Sequence, residues 1–134
     1  MNHNPNGPRQ KTAQVRLVDG TTATVWEPSW CLGEHDQGGH LADLLHDGPE
    51  LVLAVDSERG PVELLRACLT QSSYAGRPED RVTCLAVSIG GGDTRRYRTE
   101  SAVRSLMVQL AFEAGRLGDL AAELGAVLRT EAGR

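Results

Sequence analysis

The early part of the chain alternates between apolar and polar residues, and the last part repeats them at helical spacing. Residues 13–18 are extended and partly alternating. Asp19-Gly20 follows as a hairpin turn, because both positions tolerate positive φ, and the β-branched stretch 21–26 returns as a second strand. Residues 51–55 form a short apolar strand and 57–61 a turn. Residues 62–71 alternate as a strand, although the pair Leu64-Leu65 leaves a helix open there. Residues 72–80 are a polar loop. The clearest strand is 81–89, apolar on both faces and therefore expected at the centre of a sheet. A Gly-Gly-Gly-Asp turn at 90–93 leads to a short edge strand at 95–98.

Thr99 is suited to cap a helix, and Glu100 favours the positive end of its dipole. Val103, Leu106, Met107, Leu110, Ala111 and Ala114 follow at helical spacing, and Leu117, Leu120, Ala121, Leu124, Val127 and Leu128 continue the stripe. Gly115 and Gly118 each cost ~1 kcal/mol inside a helix, so a break or kink is expected there, with a second helix over 115–134. The fold class is α+β: a small, mainly antiparallel sheet of 4–6 strands, with a C-terminal helix or helix pair on one face and a metal-knuckle loop. Residues 1–11, rich in Asn, Pro and Gly, are expected to be a disordered tail, 12–114 the α+β domain, and 115–134 a core or interaction element.

Composition narrows the function classes. A length of 134 residues suits one domain. The formal net charge of -4 gives no general attraction to nucleic acid or acidic membranes. No apolar run approaches the ~18 residues of a membrane helix, and the N-terminus lacks the apolar core of a secretory signal, so a cytoplasmic location is expected. Cys31, Cys68 and Cys84 are an odd set, which argues against a disulfide framework. Cys68 and Cys84 sit in apolar runs as small hydrophobes.

Cys31 has a different setting. Glu27-Pro-Ser-Trp-Cys31-Leu-Gly-Glu-His35 places donor side chains four residues apart, with His40 and His46 farther on. Zinc favours thiolate and imidazole in a tetrahedral shell and accepts carboxylate. The stretch from Trp26 to Pro49 has little apolar content, and loops of roughly twenty residues without structure of their own are uncommon in compact domains. A bound ion would supply the missing order, with Pro28 and Trp30 stiffening the knuckle. The alternative is a set of exposed loop histidines with Cys31 packed beside Trp30.

Pro28-x-Trp30-Cys31-x3-His35, then His46-x-Gly48-Pro49, resembles a family of small actinobacterial proteins of unknown function, frequent in Streptomyces. Their motif is C-P-x-W-C-x3-H with a later histidine before a Gly-Pro turn. The resemblance implies Cys31, His35 and His46 as ligands of a structural Zn2+. Glu27 stands where that family has cysteine, so the fourth ligand could be Glu27, His40 or water.

Other constellations are weaker. An open coordination position would suit a zinc-dependent hydrolase with Glu34 or Asp36 as base, but there is no HExxH helix. Cys31 with His35 lacks an orienting third group for nucleophilic catalysis. The glycine run at 90–92 lacks phosphate-loop spacing. Arg95, Arg96, Arg98 and Arg104 are the one basic cluster and could meet a nucleic-acid backbone, yet arginines beside an edge strand commonly form a solvated face. The distal helical stripe could pair with a second copy or another protein. The leading reading is a non-enzymatic binding or interaction module with a structural zinc knuckle.

Overall fold

The computed structural model of the protein describes residues 11–133. It is α+β. Seven strands run β1 Lys11–Arg16, β2 Thr22–Glu27, β3 His46–Asp47, β4 Leu51–Ser57, β5 Gly60–Gln71, β6 Cys84–Ile89 and β7 Thr94–Tyr97, followed by α1, Glu100–Ala132. Of the expected tail, residues 1–10 lie outside the described residues, and Lys11 opens β1.

β1 and β2 form an antiparallel ribbon in the register Arg16↔Thr22 to Lys11↔Glu27. Asp19 closes its turn by accepting from the Thr21 backbone N–H at 2.9 Å and hydroxyl at 2.6 Å, and Gly20 takes the positive φ of 83°. The second sheet has five strands in the order β3-β5-β6-β7, with β4 also on β5. The long β5 pairs β6 along one edge. Along the other edge, β4 occupies its first part and β3 its last two residues. The Leu64-Leu65 stretch is therefore strand. β6 is flanked on both sides, as its two apolar faces require. It begins at Cys84 rather than at 81 because Pro78–Arg81 form a 3-10 turn. Arg81 holds the preceding polar loop, donating from Nε to the Ala75 carbonyl at 2.6 Å.

The core beside the ribbon is small and aliphatic. Val15, Val25 and Leu44 are buried together, with Ala13, Leu17, Ala23, Leu41 and Tyr74 packed around them. Leu44 follows a 3-10 turn at Leu41–Asp43, the single helical turn that the apolar residues there allow. A parallel bridge between Leu17 and Gly39 ties the loop back to the end of β1.

The chain divides into two compact units between Arg98 and Thr99. The second unit is α1. Thr99 caps it, its hydroxyl accepting from the Ala102 N–H at 3.1 Å. The helix continues through Gly115 and Gly118, where a break and a second helix were expected. The ~2 kcal/mol those glycines forfeit is spread over 33 residues, most of them good helix formers.

Candidate metal centre

The alternation that turns Val25 inward from β2 also turns Glu27 inward, leaving a carboxylate buried at the strand's end. The chain then reverses. The Cys31 N–H donates to the Pro28 carbonyl at 3.0 Å, and Gly33 adopts a φ of +77° that residues with a side chain rarely take. Its N–H donates to the Cys31 Sγ at 3.3 Å. His35 follows on the returning limb. The Leu32 N–H donates to the Asp47 carbonyl at 2.9 Å, pinning the knuckle to β3. β3 in turn is registered on β5 through His46↔Gln71, which sets His46 beneath the knuckle. Trp30 closes over Gly48, where a Cβ would stand 3.2 Å from the Trp30 carbonyl oxygen and 3.4 Å from its ring.

Glu27, Cys31, His35 and His46 thus converge, one donor atom from each lying within 4.8 Å of the others. The two imidazoles meet edge to face, with centroids 5.2 Å apart.

The hydrogen bonding says what this cluster lacks. A carbonyl can only accept, so the 3.0 Å contact between His35 Nδ1 and the Leu45 carbonyl places a proton on Nδ1. In a neutral ring, Nε2 is then a bare lone pair, yet it lies against the Glu27 carboxylate, also an acceptor. A positive charge must sit between them, either a proton or a metal ion. His46 is fully buried and neither of its ring nitrogens has a hydrogen-bond partner. The Glu27 Oε2 is likewise buried and unpartnered. Buried polar atoms without partners each cost about 1–3 kcal/mol, so three in one cluster point to a ligand.

The protonation chemistry agrees. Burial pushes His46 below its ordinary 6.5, which keeps the ring neutral and able to donate a lone pair. Burial and the neighbouring Glu27 push the Cys31 thiol up, so without a cation it stays protonated. Burial also works to raise Glu27, but bonds to Cys31 and His35, together with the nearby His35 and His46 imidazoles, hold it below 4.5. A divalent cation would displace the thiol proton and balance one thiolate and one carboxylate, leaving the buried site neutral. A mixed set of sulfur, nitrogen and oxygen donors in four-fold array fits zinc.

His40 is not in the cluster. It is exposed and precedes the Leu41–Asp43 turn without capping it. It lines a cleft of about 370 Å³ with Glu34, Asp36, Asp43 and Asp47. Of the four cluster residues, only His35 reaches that cleft. The arginines are spread over both units, with Arg96 and Arg98 lining one small cleft of the first. Arg95 and Arg96 are successive in β7, opposite Val87 and Ala86, and so face opposite sides. Arg98 lies 3.8 Å from Asp80. Arg104, on α1, pairs with Glu100 one helical turn away at 2.7 Å. Sequence reasoning missed two contributors: the Leu45 carbonyl that orients His35, a backbone group with no residue-type signal, and the two-residue strand β3.

Among the described residues, no helix is long and apolar enough to cross a membrane. Neither the curated proteins nor the solved structures contain a match to the chain. Residues 12–126 match the sequence model of a family described as a domain of unknown function, DUF6907.

Proposed function

Because the chain belongs to the DUF6907 family, whose description assigns no activity, we propose from the site itself that it is a non-enzymatic binding or interaction module pinned by a structural zinc ion. Glu27, Cys31, His35 and His46 are the ligands. The observation that carries the reading is the fully buried His46 ring, both nitrogens unpartnered, set among three other donors. The ion would join β2, the knuckle and β3, and so contribute to folding directly. The likeness of the knuckle to that of small actinobacterial proteins supports the same ligands, with Glu27 in place of a cysteine. Ligation through a reduced thiol suits a cytoplasmic protein.

The rival reading, a zinc-dependent hydrolase, needs an open coordination position. Four converging protein donors, with Glu27 and His46 buried, argue against it, as does a neighbouring cleft that reaches only one of them. A nucleic-acid role through Arg95, Arg96, Arg98 and Arg104 would show as binding to DNA or RNA that falls steeply with added salt.

Elemental analysis of the purified protein tests the proposal. One zinc per chain is expected, lost in Cys31→Ser and His46→Ala. Chelation should lower the melting temperature of the first unit and broaden the amide signals of the knuckle in NMR spectra. A metal-free preparation that melts together with the zinc-loaded protein would overturn the structural role.

A further inference from the structure

We propose that α1 binds α1 of a second copy of this chain, side by side and antiparallel. The helix carries a seven-residue repeat. Val103, Leu110, Leu117 and Leu124 recur at one position, and Leu106, Leu120 and Val127 fall three residues after them, with Glu113 as the single departure. Four such repeats at a strict period of seven are the signature of helices that pair along a shared seam. Leu110, Leu117, Leu120, Leu124 and Val127 are each 43–68% exposed. A helix with glycine at 115, 118 and 125 needs such packing, because most helical stability comes from an apolar face that is covered.

The charges select the partner and its direction. Beside the seam, Arg116 and Glu123 occupy equivalent places one repeat apart. With Leu117 of one copy level with Leu120 of an antiparallel partner, Arg116 of each copy faces Glu123 of the other, twice by two-fold symmetry. The same alignment sets Glu113 opposite Leu124, where Arg116 of its own helix, 3.4 Å away, still accompanies it. A parallel pair would instead press the two Glu113 carboxylates together in the seam, a like-charge contact that the antiparallel order avoids. Gly115 and Gly118 fall on the side away from the seam. Val108 and Phe112 also lie outside it.

Sedimentation equilibrium on the full chain should report a dimer at micromolar concentration. Leu117→Glu with Leu120→Glu should give a monomer that retains its zinc, which separates this inference from the metal-site reading. In the Glu113→Leu background, where Arg116 has no seam carboxylate to accompany, Arg116→Glu alone and Glu123→Arg alone should each raise the dimer Kd by on the order of tenfold, and the double exchange should restore it. Glu113→Leu should tighten the dimer. A wild-type monomer at tens of micromolar would overturn the proposal. So would a dimer indifferent to the leucine changes, while failure of the charge exchange to rescue would overturn the antiparallel order.

Discussion

The Nε2 atom of His35 lies against the Glu27 carboxylate, while its Nδ1 is committed to a backbone carbonyl. Two acceptors brought together in a buried site make that pair a sensor of what cation lies between them. Replacing Glu27 with alanine should weaken zinc binding by more than the 10–100-fold typical of outer-shell partners. Glu27→Cys should retain zinc and bind it more tightly, since thiolate is the softer ligand. Competition against a chromophoric chelator measures both, and equal affinity for wild type and Glu27→Ala would remove Glu27 from the ligand set.

Gly48 should tolerate no side chain. A Cβ there would stand 3.2 Å from the Trp30 carbonyl oxygen and 3.4 Å from the ring, and backbone can yield little. Gly48→Ala should destabilise the first unit by about 1–3 kcal/mol and loosen the knuckle. Urea denaturation followed by Trp fluorescence reads this, and an unchanged midpoint would show that Trp30 moves freely.

With the metal stripped, acid should act on the site in two stages of the same sign. His46 is held below its ordinary 6.5, so the unfolded chain binds the extra proton first and stability falls as pH drops below about 6.5. Glu27 is held below 4.5, so its contribution, complete above that pH, is lost as the pH falls through its lower folded value. Thermal melts of the chelated protein should decline as the pH is lowered from about 6.5 to about 4. His46→Gln should flatten the upper part of the decline, and an unchanged upper part would clear His46 of the effect.

Gly115→Ala and Gly118→Ala should each stabilise α1 by ~1 kcal/mol, since a Cβ at either site meets open space. Thr99→Ala should cost about 1 kcal/mol by removing the cap on the Ala102 N–H. Helix ellipticity during thermal unfolding distinguishes the three. A loss of helix on adding the alanines would mean that the glycines face a packed surface.

The elements were legible where a period spans enough residues to be counted. β6 declares itself by alternation and α1 by helical spacing, while β5 alternates less clearly because Leu64-Leu65 leaves a helix open. The start of β6 at Cys84 and the continuity of α1 through residue 115 were not legible, because a 3-10 turn and a tolerated glycine leave no periodic trace. Cys31 and His35 of the cluster could be picked out from their spacing. His40 and His46 were equivalent on that basis, two imidazoles in one polar loop.

By itself, the sequence determined an aliphatic α+β domain, a thiol-imidazole knuckle and a helix with a continuous apolar stripe, since residue type and spacing act over a few turns of chain. Spacing alone could not choose between His40 and His46; the motif resemblance implied His46, and tertiary structure brings that residue into the cluster. Pairing of β3 with β5 buries His46 beneath the knuckle and leaves His40 at the rim of a cleft. That choice depends on strands brought together from distant parts of the chain, and no local pattern encodes such a contact.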